Sequence, residues 1–83
     1  MSSNAAQRAY LQARRERLVA LQVAAYHQAV TARNQAADLV RARARADEVE
    51  GLRQAALTAQ LRCDELTHAV RAIEAELWED VTS

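Results

Sequence analysis

Glu65 and His68 have the spacing at which one helix of a di-iron carboxylate bundle presents two metal ligands from the same face. A site of that kind also needs a carboxylate from a facing helix. The first half of the chain offers only Glu16 and Asp38, and a chain folded back at its middle places Glu65 opposite residue 32, which Thr31 and Arg33 flank. We therefore predict a surface Glu-His pair, with no metal and no other cofactor.

Other residues that often carry chemistry also lack the partners that they need. His27 has no Cys, Asp or Glu at helical contact spacing, and Cys63, the single cysteine, continues an apolar stripe as a buried, inert thiol. One glycine, Gly51, cannot build a phosphate-binding loop, and a helical chain lacks the loops from which a Ser/His/Asp set converges. The sequence predicts that the protein is not an enzyme.

The eleven basic residues are all arginine, and two groups of them could follow a phosphate backbone. Residues 14–17 hold three arginines, and residues 41–45 hold three more at every second position, which spreads them around a helix. The acidic residues of the second half compete for the same guanidinium groups. We therefore disfavour nucleic acid as a partner, and keep a helical nucleic-acid-binding accessory protein as an alternative function.

The formal net charge of zero conceals a division between the two halves of the chain. Residues 1–46 carry eight arginines against two acidic residues, a net charge of +6, whereas residues 47–83 carry three arginines against nine acidic residues, a net charge of −6. The halves should attract in an antiparallel arrangement, within one chain or between two, with Arg33 near Asp64 and with Arg17 and Arg15 near Asp80 and Glu79. Exposed ion pairs stabilise by only about 0–1 kcal/mol, so they select direction more than they stabilise.

The composition predicts an all-α chain, because twenty alanines, no proline and a single glycine give high helix propensity throughout. Asn4 has a glutamine three residues later, which indicates a helix start at about residue 5. The same capping-box spacing recurs at Asp47, next to Gly51, the residue best suited to a left-handed backbone. We predict a single helical domain over residues 1–83, with helices at about 5–46 and 52–80 and a turn at about 47–51.

An alternative is one continuous helix in an oligomeric coiled coil, about 110 Å long at 1.5 Å per residue. The heptad runs on either side of residue 50 are joined by an extra step of three, which is a stammer in a continuous coiled coil. A turn explains the change of phase equally well. The chain shows neither a secretory signal pattern nor 18 consecutive apolar residues, so we expect no membrane contact and a cytoplasmic or virion-associated location.

The first predicted helix carries two apolar seams, about 100–140° apart around its axis. The first seam is interrupted by Gln28 and Gln35, and the second by Arg33. The first consists of Leu11, Leu18, Leu21, Ala25, Ala32, Leu39, Ala42 and Ala46. The second consists of Val19, Val23, Tyr26, Val30, Ala37, Val40 and Ala44.

The second predicted helix has one long seam from Leu52 to Leu77 and only a fragment of another at Leu57 and Leu61. A hairpin with coiled-coil-type packing therefore covers one seam of the first helix and leaves the other exposed, which favours association into a multi-helix bundle. Near the C-terminus, Trp78 is either a cap on the bundle or a docking anchor. The predicted protein interface consists of Val19, Val23, Tyr26, Val30, Val40, Trp78 and Val81.

These features favour a structural or adaptor protein that forms a homo-oligomer, such as an assembly scaffold or a small component of a bacterial or viral particle. A small chaperone-like binding module, whose exposed seam takes a helical segment of another protein, is the alternative from a different class. The two differ in how the isolated chain behaves, since only the first forms a stable oligomer by itself.

Overall fold

The computed structural model describes the backbone of residues 2–82 and the side chains of residues 4–79. Helix α1 spans Ser2–Arg41, helix α2 spans Ala46–Thr82, and residues 42–45 connect them. The two helices pack side by side as an antiparallel hairpin that measures 63 × 15 × 14 Å, and the described residues contain no strand. The predicted all-α hairpin is confirmed, and the continuous helix is wrong.

The turn lies at residues 42–45, not at 47–51 as the sequence predicted. The N–H of Ala44 donates to the carbonyl of Leu39 at 2.9 Å, and the N–H of Arg43 donates to that of Val40 at 3.1 Å. These two bonds form a Schellman motif, in which the residue at the position of Arg43 takes a left-handed conformation that usually requires glycine. Arg43 has φ 55°, whereas Gly51 lies inside α2 without a positive φ.

Helix α2 begins without the capping box predicted for Asp47 and Glu50. The backbone carbonyl of Arg45 accepts the N–H of Glu48 at 3.1 Å, so Arg45 is the N-cap residue and Asp47 is already helical. The carboxylate of Asp47 accepts the same N–H at 3.0 Å and two guanidinium bonds from Arg45 at 2.7 and 3.2 Å. Glu50 instead accepts a bond from Gln54 one turn later. An acidic first turn, favourable to the helix dipole, replaces the expected cap.

The outer ends of both helices extend beyond the predicted bounds. Helix α1 begins at Ser2, so Asn4 lies within its first turn and does not cap it at residue 5. Helix α2 continues to Thr82 rather than ending at about residue 80. These shifts lengthen the two helices without changing the fold.

The core between the helices is made mostly of small side chains that repeat at steps of three and four. It consists of Ala25, Ala29, Ala32, Ala36, Val49, Ala56, Ala59, Cys63, Val70 and Ile73. The first predicted seam is right at Ala25 and Ala32 but wrong at Leu21, Ala42 and Ala46, which are exposed, as are Gln28 and Gln35. Ala29, which has no exposed surface, is a core residue that neither predicted seam contained. Small side chains let two helices approach closely, so α1 packs on α2 through the side that carries these alanines.

Three polar contacts fix the register of the hairpin. Gln22 Nε2 donates to Thr67 Oγ1 at 2.7 Å, and Arg33 Nη2 donates to Gln60 Oε1 at 2.9 Å. Arg15 and Glu74 form an ion pair at 3.7 Å.

The earlier turn changes which residues of α2 face α1. The predicted contact of Arg33 with Asp64 is not formed, because Arg33 binds Gln60, whose amide donates to Asp64 at 3.0 Å. Arg15 meets Glu74 rather than Glu79. The predicted contact with Asp80 lies outside the described side chains. The attraction between basic and acidic halves is therefore present, but displaced along α2.

Arg43 occupies a left-handed position that favours glycine, whereas Gly51 lies inside a helix, where alanine is favoured. This arrangement leads to a prediction about stability. Arg43→Gly should stabilise the fold by about 1 kcal/mol, because a left-handed backbone costs an L-residue about 1–2 kcal/mol. Gly51→Ala should add about 1 kcal/mol, because glycine inside a helix costs about that much relative to alanine and no atom lies within 4 Å of the added Cβ. Urea denaturation should show the two gains to be additive. Ala44→Gly is the control, since Ala44 has no positive φ, and an equal gain there would contradict the prediction.

Candidate interaction surface

One side of the hairpin carries a continuous apolar row that the two-helix core does not use. Val19 and Val30 are half-buried, whereas Val23 keeps 48%, Tyr26 53% and Val40 51% of its surface exposed. Their successive separations of four, three, four and ten residues keep them on one side of α1. Together with Ala37 and with Leu57 of α2, these residues form the surface that we call the open face.

A groove shows that both helices contribute to the open face. It has a volume of 390 Å³ and lies between the C-terminal part of α1 and the N-terminal part of α2. Ala37 and Val40 line one wall, Leu57 lines the other, and the guanidinium groups of Arg33 and Arg53 border it. Leu57 is 54% exposed, so its side chain adds apolar surface from α2 to the row on α1.

The opposite side of the hairpin has a different character. Its groove is lined by alanines together with Gln28, Thr58 and Arg62. Elsewhere, Tyr10, Leu21 and Leu61 are exposed as well, but none of them continues the apolar row of the open face. The open face therefore carries the longer apolar row, while these three exposed side chains lie outside it.

The predicted C-terminal interface residues stand apart from this row. Trp78 is 68% exposed and lies three heptads after Leu57, which places it on the same side of α2. The side chain of Val81 lies outside the described residues. The structure thus brings together the five predicted residues of α1 and adds Leu57, while Trp78 is near the far end of the hairpin.

Leu57 and Ala37 are the residues of this surface that the predicted interface omitted. Ala37 was part of the second predicted seam, and Leu57 of the fragment on the second helix. Ala37 lies three residues before Val40 on α1, and Leu57 lines the facing wall of the same groove.

The side chains that could bind a metal or react chemically do not lie together. Glu65 and His68 are exposed, and the part of the chain that the structure describes contains no group of three His, Cys, Asp or Glu side chains placed to hold a metal ion. Cys63 is buried in the hairpin core, as predicted. His27 is exposed and meets the ring of Tyr26 edge-on, with centroids 5.9 Å apart.

The arginines near the turn are already engaged with acidic neighbours. Arg41 pairs with Asp38 at 3.2 Å, and Arg45 pairs with Asp47 at 2.7 Å. Exposed pairs such as these contribute little to stability. They do reduce the positive potential that a phosphate backbone would meet at this end of the hairpin.

The hairpin exposes more surface than a compact protein of its mass. Its accessible surface is 6263 Å². A compact monomer of 9.2 kDa exposes about 4,900 Å², so the hairpin exposes about 1,300 Å² more. A standard protein interface buries about 800 Å² per partner, and one such contact would remove more than half of this excess.

The chain matches no protein-family model, no curated protein sequence and no solved structure. Neither described helix combines the length and the apolar character required to cross a membrane.

Proposed function

We propose that the protein is a non-enzymatic structural or adaptor protein that self-assembles by helix packing, with a second copy of the chain covering the open face. The observation that carries the proposal is the one-sided apolar row on α1, from Val19 to Val40, which remains exposed after the hairpin has formed. Burying apolar surface is the main driving force of protein association, so this row favours a helical partner over water.

The composition of the hairpin core supports association. None of the large described side chains is fully buried, and the centre of the contact on α1 consists of four alanines. A single core in a domain of this size seldom contributes more than about 3–5 kcal/mol. Association through the open face would add the larger valine, leucine and tyrosine side chains to the buried surface, forming a multi-helix bundle.

A second copy fits this surface because the chain is complementary to itself. Its net charge is zero, with an excess of arginine on α1 and of acidic residues on α2. Two copies therefore attract without a counterion or an oppositely charged partner. Assembly of this kind suits a scaffold or a small particle component, in the cytoplasm or in a virion.

Sedimentation equilibrium of the isolated chain tests the proposal. We expect a single species at micromolar concentration with a mass that is a multiple of 9.2 kDa. A monomer under these conditions would contradict self-assembly. The open face would then be assigned to a helical segment of another protein, as in the chaperone-like alternative.

A further inference from the structure

The two helices carry opposite charges that stay on the outside of the hairpin. Helix α1 has six arginines and two acidic residues, whereas α2 has three arginines and nine acidic residues. Among the described side chains, the charged residues of both helices are exposed except for half-buried Arg15. Arg15 and Glu74 form an ion pair between the helices. The charge difference is therefore available to a second molecule.

Two symmetric arrangements bring the open faces of two hairpins together. A two-fold axis along the hairpin places both turns at the same end and lays each α1 over the α2 of the partner subunit. A two-fold axis across the hairpin places the turns at opposite ends and lays each α1 over the α1 of the partner subunit. Both are isologous, so both are closed dimers.

Apolar burial does not choose between these arrangements, because each covers the same open face and the hydrophobic effect has no direction. Charge does choose, since like charges placed across an interface are unfavourable and opposite charges fix the register. The axis across the hairpin sets α1 against α1 and α2 against α2, so basic meets basic and acidic meets acidic. The axis along the hairpin sets every helix against one of opposite net charge, while Arg33 and the partner subunit's Arg53, which both border the groove, come near the same level.

We infer that two copies associate about an axis along the hairpin, with both turns at the same end and each basic α1 packed on the acidic α2 of the partner subunit. The inference rests on the proposed self-assembly and specifies its geometry. Rotation about this axis keeps each residue at its own level along the bundle. The contacts of Gln22 with Thr67 and of Arg15 with Glu74 set Leu57 at the level of residues 30–33 of α1, about two turns farther from the hairpin turn than Val40. The partner subunit's Leu57 therefore comes over Val30 of the open face, which supplies an apolar contact.

The charges at each end of the bundle agree with this geometry. Residues 4–17 hold four arginines and one acidic residue, and residues 71–80 at the same end hold one arginine and four acidic residues. Near the turn, residues 38–50 hold three arginines and four acidic residues. Neither end accumulates a large charge of one sign when two turns lie side by side.

Double electron-electron resonance with one spin label per chain tests the arrangement, because every measured distance is then between two copies. Cys63→Ala removes the native thiol. Ala42→Cys then places a label at the turn, and Ala24→Cys places one near the middle of α1. Both alanines are exposed, and neither belongs to the open face.

We expect both labels to report short distances of about 20–25 Å, twice the diameter of a helix. A short distance at position 24 with a distance near the 63 Å hairpin length at position 42 would overturn the inferred axis while leaving self-assembly intact. The absence of any distance between copies at both positions would overturn self-assembly and the arrangement with it. Dilution with unlabelled chain should remove the signal, which verifies that it arises between copies.

Discussion

Replacing Val23 and Val30 together by glutamate should dissociate the assembly into monomeric hairpins. The two valines lie two turns apart at the centre of the open face, with Val23 48% exposed and Val30 half-buried in the isolated hairpin. Full burial of a valine contributes about 1.5–3 kcal/mol, and association supplies only the part that the hairpin has left exposed. A carboxylate in the same place adds the larger cost of a buried, unpaired charge.

The magnitude of this loss is sufficient to separate the subunits. A micromolar complex is held together by about 8 kcal/mol, and every substitution occurs twice in a symmetric dimer. Losses of several kcal/mol therefore move the dissociation constant beyond ordinary working concentrations. Sedimentation equilibrium should give a mass of 9.2 kDa, while far-UV circular dichroism should retain most of the helical signal.

A matched pair on the same helix provides the control. Ala24 and Thr31 are exposed, have the same separation of seven residues, and each follows one of the two valines in sequence. Ala24→Glu with Thr31→Glu adds the same charge to α1 without touching the open face, and should leave the assembled mass unchanged. If the valine variant also keeps the mass of the wild type, the interface lies elsewhere, and the end of the hairpin near Trp78 becomes the candidate.

The second large effect is expected from Ala29→Leu in the hairpin core. Ala29 has no exposed surface, so three additional carbon atoms must displace α2 or force neighbouring side chains out of their preferred rotamers. Overpacking of this kind costs about 1–3 kcal/mol. In a domain of this size each kcal/mol lowers the melting temperature by about 4–8 °C, so a fall of about 5–20 °C should be measured.

Ala24→Leu is the control for this variant. Ala24 lies on the same helix and is exposed, and alanine and leucine have similar helix propensities. The two variants therefore differ in packing alone, and only the change at Ala29 should lower the melting temperature. Both should be measured at one protein concentration, because self-association makes the melting temperature depend on it. Equal melting temperatures would show that α2 does not pack closely on this side of α1.

The fold class followed from the sequence because it depends on properties that are local or additive. Helix propensity required only composition, and the hairpin followed from the charge division and the change of heptad phase. The turn was misplaced because Asp47 and Gly51 have strong local preferences for helix ends, whereas Arg43 has none. The turn at residues 42–45 accompanies the packing of Ala29 and its neighbours across the hairpin, and that packing is a long-range property.

The open face was predicted more accurately than the core for a related reason. The row from Val19 to Val40 needs only a helical α1, so its residues lie together whatever register α2 adopts. The core depends on both helices, and weighting leucine above alanine assigned Leu21 to a buried position that it does not occupy. Leu57 was omitted from the predicted interface because it belonged only to a short apolar fragment of the second helix, together with Leu61.

Because Cys63 is buried between the helices, the reactivity of its thiol can be used to measure how often the hairpin opens. This thiol is the only one in the chain and sits between the helices, 7% exposed, where a bulky alkylating reagent cannot reach it. The thiol can therefore be alkylated only after α1 and α2 have separated around it. When reclosing is faster than alkylation, the rate of thiol loss is proportional to the population of opened hairpins, as amide exchange is for local unfolding. The time course of a single chemical reaction thus reports how often this contact of small side chains opens in solution.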